Sequence, residues 1–158
     1  MDLNKIHNIY FIGIGGIGMS AIARYFSANG KKVAGYDKVQ TPITNSLEEL
    51  GIRVHFEDGV KHIDLAFLNK EKTIVVYTPA VQSDHKELAY FKNNAYTVLK
   101  RSEILGEITK NTFCLGVAGT HGKTTTSAIL GHIMEPLKAT SFLGGISENY
   151  DSNLILGD

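Results

Sequence analysis

Residues 9–20 read IYFIGIGGIGMS, and this stretch decides the fold class. The apolar run at 9–12 ends directly in glycine, which is typical of a strand that is buried on both faces of a parallel sheet. A helical pattern follows, because Ile22 and Phe26 are four residues apart and Gly30 stands where a helix would stop. A strand, a glycine turn and a helix in this order predict the first unit of a doubly wound α/β fold.

The same alternation of strands and helices continues along the chain. Thr41, Pro42 and Gly51 stand where the N-cap, the first-turn proline and the terminating glycine of a helix belong. Asp84 with Glu87 three residues later resembles a capping box, which predicts a helix through Phe91. Repeated βα units predict a Rossmann-like, doubly wound parallel sheet. Its further strands are expected at 32–37, 52–56, 73–77 and 98–99, and its further helices at 42–50, 84–91 and 101–108.

A second unit is predicted after a linker at residues 110–112. The apolar run at 113–118 predicts a buried strand, and within it Cys114 is expected to be a buried, inert thiol. A glycine loop and a helix from about Thr124 to Met134 follow. We therefore divide the chain into a Rossmann-like domain, 1–110, and the start of a P-loop ATPase domain, 111–158. Only 32 residues follow Thr126, too few to complete a sheet, so we expect an N-terminal fragment.

The composition limits the classes of partner. Sixteen Lys and Arg balance 16 Asp and Glu, so no overall field favours nucleic acid or an anionic membrane, and neither is expected as a partner. An anionic ligand must then be held locally, by backbone amides and a few cations. A single cysteine excludes an internal disulfide and a cysteine-rich zinc site. No apolar stretch is long enough for a membrane span or a signal peptide, so a cytoplasmic location is expected.

The glycines after the first strand form a G-x-G-x-x-G pattern from Gly13 to Gly18. Glycine permits the tight turn and lets the backbone approach a pyrophosphate, while the helix N-terminus presents free N–H groups. Asp37 ends the second strand, 19 residues beyond Gly18. In a nicotinamide-binding domain it would hold a ribose hydroxyl; a solvated turn residue is an equally good interpretation.

A second candidate phosphate loop reads GTHGKTTT at residues 119–126. Its amides would cradle phosphate, Lys123 would neutralise the terminal phosphates of ATP, and Thr124 would coordinate Mg²⁺. The loop is shorter than a common Walker A loop, because Val117 stands where that pattern has its first glycine. His121 lies inside the loop, where contact with a ligand and a spacer role are equally good interpretations.

Together, the stretches at 11–20 and 116–126 closely resemble the Mur ligase family, as do RSEIL at 101–105 and the glycine pair at 144–145. The resemblance covers essentially the whole chain. It implies that the first domain binds UDP-N-acetylmuramate with the diphosphate on residues 15–20, and that the second binds ATP and Mg²⁺. The implied sugar-nucleotide residues are Gly13, Gly15, Gly16, Ile17, Gly18, Met19, Ser20 and Asp37. The implied ATP-binding residues are Gly119, Thr120, His121, Gly122, Lys123, Thr124 and Thr125, with Lys123 and Thr124 catalytic and Thr124 on the metal.

The resemblance also implies a reaction. In the family members that this chain resembles, the lactyl carboxylate of the sugar attacks the γ-phosphate of ATP, and the amine of L-alanine then displaces phosphate from the acyl phosphate. The L-alanine site and an acidic metal ligand would lie beyond residue 158. The chain departs from the usual family residues at 57–59, 78–81 and 85–87. These differences affect the side-chain contacts implied around the sugar, and neither phosphate loop contains any of them.

Three other interpretations remain open at this point. The G-x-G-x-x-G pattern with Asp37 also suits the NAD(P)-binding Rossmann domain of an oxidoreductase, although such an enzyme has no use for a Gly-Lys-Thr loop. The two phosphate loops would also suit a non-catalytic nucleotide sensor. A related Mur-type ligase would add a preformed peptide to the same sugar nucleotide.

Overall fold

The computed structural model describes residues 1–82, 84–110 and 112–157. Its main feature is a five-stranded sheet in which all neighbouring strands are parallel, in the order β3-β2-β1-β4-β5. The strands are β1 (Asn8–Ile12), β2 (Lys32–Tyr36), β3 (Arg53–His55), β4 (Thr73–Tyr77) and β5 (Thr97–Lys100). The order reverses between β1 and β4, as it does in a Rossmann-type sheet.

The connections between the strands contain helices. They are α1 (Ile17–Ala28), α2 (Pro42–Glu49), α3 (Lys86–Asn93) and α4 (Arg101–Thr109), and α5 (Lys123–Ile133) follows the sheet. Short 3₁₀ helices lie at Leu3–Lys5, Val60–His62, Leu65–Leu68 and Glu135–Leu137. In the part of the chain that the structure describes, no helix combines the length and the apolar character that a membrane crossing requires.

Two hydrophobic cores cover the two faces of the sheet. The central strand β1 contributes Ile9 and Phe11 to the core under α1, α2 and α4. It contributes Tyr10 and Ile12 to the opposite core, under α3 and the 3₁₀ helix that carries Phe67. Because successive side chains of a strand point to opposite faces, this alternation buries the sheet on both sides. The predicted doubly wound architecture is confirmed.

Helix α2 begins and ends where the sequence predicts. The Thr41 hydroxyl accepts a hydrogen bond from the Thr44 amide (3.2 Å), and the Thr44 hydroxyl accepts one from the Thr41 amide (2.8 Å). Gly51 has a φ of +78°, the left-handed conformation that glycine adopts at low cost after a helix. Local sequence alone therefore determines both ends of this helix.

The predicted cap of α3 is wrong. The N-cap is His85, not Asp84, and its Nδ1 accepts a long hydrogen bond from the Leu88 amide (3.4 Å). The first two amides of the helix donate instead to the carboxylate of Asp58, at 2.9 and 3.2 Å. The carboxylate of Asp58, which is distant in the sequence, thus caps the helix in place of a local residue. No pattern within residues 84–91 predicts this contact.

The strand predicted at 113–118 is also wrong. The structure has no strand there, the Phe113 side chain is 90% exposed, and Cys114 is exposed. A parallel strand needs hydrogen-bonded neighbours, and the described residues contain no strand that pairs with this segment. Asn111, in the predicted linker, lies outside the described residues.

A β-hairpin that the sequence did not reveal follows α5. Its strands β6 (Ser141–Ser147) and β7 (Ser152–Ile155) are antiparallel and form a separate two-stranded sheet. The hairpin contacts α1, where the rings of Tyr25 and Phe142 are 5.4 Å apart. It also contacts α5, where a Cβ on Gly131 would come within 3.0 Å of Ser141 and Ile155. The hairpin therefore lies between the two helices that follow the glycine loops.

Candidate functional site

A cleft of about 650 Å³ opens at the carboxyl ends of β1, β2 and β4. This is the point where the strand order reverses, and open α/β sheets bind their ligands there. The first glycine loop forms one wall, and the chain after β4 forms another through Thr78 and Gln82. Charged side chains at the rim are Lys38, Lys86, Asp37, Asp58 and Asp84.

The first glycine loop is attached to the end of β2. The amides of Gly13 and Ile14 both donate to the Tyr36 carbonyl, at 2.8 and 3.0 Å. Gly13 has a φ of +85°, and a Cβ there would lie only 2.5 Å from Thr78 Cγ2. Glycine is therefore required at this position for its conformation and for space. The two hydrogen bonds to the Tyr36 carbonyl therefore hold the loop in place at the wall of the cleft.

Asp37 is bonded to the loop itself. Its Oδ2 accepts a hydrogen bond from the Gly15 amide (2.7 Å), and its Oδ1 accepts one from the Val39 amide (3.3 Å). The structure thus places Asp37 at the cleft beside the first loop, while its bond to the amide two residues further on is that of a turn residue. A Cβ on Gly15 would come within 2.8 Å of Thr44 Cγ2 and 2.9 Å of Asp37 Oδ2.

Helix α1 begins with amides that lack acceptors. Gly16 is its N-cap and provides no side-chain cap, while the amides of Met19 and Ser20 donate to the Gly16 carbonyl. Among residues 1–82, 84–110 and 112–157, no acceptor faces the amides of Ile17 and Gly18. Free amides and the positive end of the helix dipole make this turn suited to an anion.

Two of the predicted ligand residues lie inside the protein. Met19 and Ser20 are buried, at 2% and 0% exposure. The Ser20 hydroxyl donates to the Ile17 carbonyl (3.0 Å) and accepts from Asn153 Nδ2 (2.8 Å). Asn153 Nδ2 also donates to the Ile17 carbonyl (2.5 Å). The hairpin residue Asn153, which the sequence analysis did not identify, therefore binds the first turn of α1 through the Ile17 carbonyl and the Ser20 hydroxyl.

The second glycine loop surrounds a lysine ammonium. Lys123 Nζ donates to the carbonyls of Gly119 (2.6 Å) and Thr120 (3.2 Å). Gly122, the N-cap of α5, has a φ of +75°, and Gly119 has a φ of +153°, so both positions favour glycine. The ammonium lies at the mouth of the loop, in front of the helix N-terminus, and this arrangement fits the phosphates of a nucleotide.

The remaining residues of this loop are exposed. His121 contacts the Thr120 hydroxyl through Nδ1 (3.2 Å), and Thr125 faces solvent. Thr124 packs against the hairpin, since a Cβ on Gly144 would come within 3.0 Å of its Oγ1. Within the described residues, no group of three or more His, Cys, Asp or Glu side chains is arranged to hold a metal ion. A threonine hydroxyl is an oxygen donor of the kind that Mg²⁺ binds.

Behind the cleft lies a polar network that the sequence did not reveal. The carboxylate of Glu87 is fully buried and accepts hydrogen bonds from the Tyr10 hydroxyl (2.8 Å) and the Gly59 amide (3.1 Å). His55 Nε2 lies 2.7 Å from the Tyr10 oxygen. Burial raises the pKa of Glu87 to about 7, against the opposing effect of both hydrogen bonds. Burial lowers the pKa of His55 and raises that of Tyr10.

Glu87→Gln is expected to change the pH dependence of stability. Because the folded-state pKa lies above the ordinary value of 4.5, the folded protein binds more protons between about 4.5 and about 7. The free energy of unfolding contributed by Glu87 therefore falls as pH rises through this window. Melting temperatures measured from about pH 5 to about pH 8 should show the wild type losing stability relative to Glu87→Gln. Parallel curves for the wild type and Glu87→Gln would contradict this expectation.

Comparison with known proteins gives consistent results for sequence and structure. A family model described as Mur ligase family, catalytic domain, matches residues 8–112. A UDP-N-acetylmuramate–L-alanine ligase from Flavobacterium psychrophilum is 59% identical over 157 residues, which cover 98% of this chain and 35% of that protein. The chain thus spans about a third of the length of the curated relatives that it matches.

Two solved structures share the fold. The UDP-N-acetylmuramate-alanine ligase from Thermotoga maritima has a TM-score of 0.85 and 33% identity, with 95% of this chain and 35% of that chain covered. A UDP-N-acetylmuramate:L-alanyl-gamma-D-glutamyl-meso-diaminopimelate ligase from Neisseria meningitides has a TM-score of 0.79 and 30% identity, with 96% and 47% covered.

Proposed function

The chain belongs to the Mur ligase family, and we propose that the protein carrying it joins L-alanine to UDP-N-acetylmuramate at the expense of ATP, in the cytoplasm. The reaction is a step of peptidoglycan biosynthesis. The observation that supports this most strongly is the 59% identity to a ligase of that name, which extends across both glycine loops. The proposal divides the chain into a sugar-nucleotide domain at 1–110 and the start of an ATP-binding domain at 111–158.

The first glycine loop is proposed to bind the sugar nucleotide. The free amides of Ile17 and Gly18 and the positive end of α1 would bind the diphosphate. Gly13, Gly15 and Gly16 leave the backbone accessible, and the Asp37 carboxylate, which lines the cleft, would accept a ribose hydroxyl. Met19 and Ser20, being buried, would support the loop through packing and through the contact with Asn153, and would not touch the ligand with their side chains.

The second glycine loop is proposed to bind ATP. Residues 119–125 would surround the phosphates, with Lys123 over the terminal groups and the Thr124 hydroxyl on Mg²⁺. The chemical need is for positive charge, because a carboxylate must approach a phosphoryl group that is itself anionic. Lys123 supplies that charge from this chain, and bound Mg²⁺ would supply more.

The alternative is a ligase that adds a preformed peptide to the same sugar nucleotide. The structural similarity to the Neisseria protein supports it, with a TM-score of 0.79 at 30% identity. The higher identity to L-alanine ligases favours L-alanine. An NAD-dependent oxidoreductase is disfavoured by family membership and by the Gly-Lys-Thr loop.

The chain 1–158 is expected to bind UDP-N-acetylmuramate and to release no phosphate. The cleft and its loop are built from residues before 101, whereas the segment at 113–118 pairs with no strand in the described part of the chain, and positioning catalysis needs Lys123 and Thr124 to be held more rigidly than such a segment allows. Titration calorimetry with UDP-N-acetylmuramate, ATP and NAD separates the candidate ligands, and a coupled phosphate assay with L-alanine measures turnover. Binding of NAD in place of the sugar nucleotide would overturn the proposal, and sustained turnover would contradict the division of the chain.

A further inference from the structure

We propose that Arg101 contacts the diphosphate of the bound sugar nucleotide and supplies the positive charge that the first glycine loop lacks. This inference rests on the proposed function, because it takes the ligand of the cleft to be a UDP-sugar. Three observations carry it: the charge around the loop, the position of the guanidinium, and its lack of partners.

The first loop has a shortage of positive charge. Residues 13–20 contain no Lys, Arg or His. The Gly15 amide, one of the groups that would face an anion, already donates to the carboxylate of Asp37. Three carboxylates, from Asp37, Asp58 and Asp84, line the cleft against two lysines. Because the net charge of the chain is zero, no long-range field compensates for this, and a diphosphate needs a cation placed against the loop.

The side chain of Arg101 lies directly on the first turn of α1. A Cβ on Gly18 would overlap Arg101 Nη1 and would lie 3.1 Å from Cδ and 3.2 Å from Cζ. Gly18 has no positive φ, and all three atoms nearest to such a Cβ belong to the flexible Arg101 side chain, so the contact shows where the guanidinium lies and not that glycine is required. Arg101 reaches this place because α4 begins at the carboxyl end of β5, at the same edge of the sheet as the loop. The guanidinium therefore lies beside the helical turn whose amides are free.

The guanidinium of Arg101 also has no hydrogen-bond or ion-pair partner in the described part of the chain. The Arg101 side chain is exposed, and no residue in 1–82, 84–110 or 112–157 forms a hydrogen bond or an ion pair with it. The nearest acids of its own helix are engaged: Glu103 accepts from the Lys100 amide (2.6 Å), and Glu107 pairs with the N-terminal amine (3.1 Å). A free guanidinium presents a planar fork of donors that matches the oxygens of a phosphate group.

The test compares ligands that differ in charge. In the full-length protein, Arg101→Gln should raise the dissociation constant for UDP and for UDP-N-acetylmuramate roughly tenfold, the usual effect of losing a charge-assisted hydrogen bond. The dissociation constant for uridine, which has no phosphate, should not change. Lys100→Gln is the matched control, because it removes an adjacent charge that does not lie on Gly18 and should leave all three values unchanged. Calorimetry at constant ionic strength measures them.

A second variant tests the contact with Gly18. Gly18→Ala should weaken UDP binding by displacing the guanidinium, and should weaken it much less in the Arg101→Gln background. Unchanged UDP affinity in folded Arg101→Gln would overturn the inference. A second result would also overturn it: a loss of affinity for UDP-N-acetylmuramate without a loss of affinity for UDP-N-acetylglucosamine, which has no lactyl group. The arginine would then bind the lactyl carboxylate and not the diphosphate. If the wild-type protein bound no UDP-sugar at all, the proposed function would fail instead.

Discussion

Replacing Lys123 by alanine in the full-length protein is expected to lower turnover on the order of a hundredfold, with a smaller change in the Michaelis constant for ATP. The ammonium lies within 2.6 Å of the Gly119 carbonyl and 3.2 Å of the Thr120 carbonyl, at the mouth of the loop. Phosphate oxygens are better acceptors than these carbonyls, so the ammonium would transfer to them when ATP binds. Its charge is needed most in the transition state, where the transferring group meets a carboxylate.

Steady-state kinetics with a coupled phosphate assay measures the effect of Lys123→Ala. Lys110→Ala is a suitable control, because it removes a lysine whose ammonium contacts only Glu107 among the described residues. His121→Ala separates the two interpretations of that side chain, since a spacer would leave turnover near that of the wild type. Turnover of Lys123→Ala within about twofold of the wild type would reject the catalytic role.

The sequence predicted the parts of the fold that depend on local patterns. The apolar run ending in Gly13 predicted β1 and its burial on both faces, and the caps at Thr41 and Gly51 predicted α2 to within a residue. Helix α5 begins one residue earlier than predicted, at Lys123. Each of these features follows from neighbours along the chain: side-chain alternation, a hydroxyl that caps, or a glycine that adopts a positive φ.

The features that the sequence missed all depend on residues far apart in the chain. Asp58 caps α3 across 28 positions, and Asn153 bonds to Ile17 across 136. The opposite error arose at 113–118, where a run of apolar residues predicted a strand that the described part of the chain has no neighbouring strand to pair with. Arg101 belongs to the same class, because nothing in its neighbourhood along the chain indicates that it lies against Gly18. The local sequence pattern indicates which secondary structure a segment can form, whereas its contacts depend on residues that are distant in the sequence.

Different physical constraints favour glycine in the two loops. In the second loop, Gly119 and Gly122 have positive φ values, and a Cβ there would come no closer than 3.6 Å to a neighbour, so their conformation is the constraint. In the first loop only Gly13 has a positive φ, while Gly15 and Gly18 are surrounded by side chains. A substitution at Gly15 therefore acts by displacing the side chains of Thr44 and Asp37.

Gly15→Val is accordingly expected to abolish binding of UDP-N-acetylmuramate, with a loss of at least about a hundredfold in affinity, while the sheet stays folded. The added Cβ would stand 2.8 Å from Thr44 Cγ2 and 2.9 Å from Asp37 Oδ2, so both side chains must move. The valine methyl groups increase the displacement and break the bond from the Gly15 amide to Asp37. The loop would then shift into the cleft and take the amides of α1 away from the diphosphate.

Calorimetry measures this loss, and circular dichroism with thermal melting shows whether the variant is folded. Gly106→Ala is the matched control: it adds a Cβ to α4 where no atom outside the helix's own backbone lies within 4 Å, so binding should be unchanged and the helix stabilised by up to about 1 kcal/mol. Gly15→Ala should fall between the two, since it adds the Cβ without the branches. A folded Gly15→Val protein that binds the sugar nucleotide within about threefold of wild type would remove the first loop from the binding site, because no diphosphate could remain against a backbone displaced in this way.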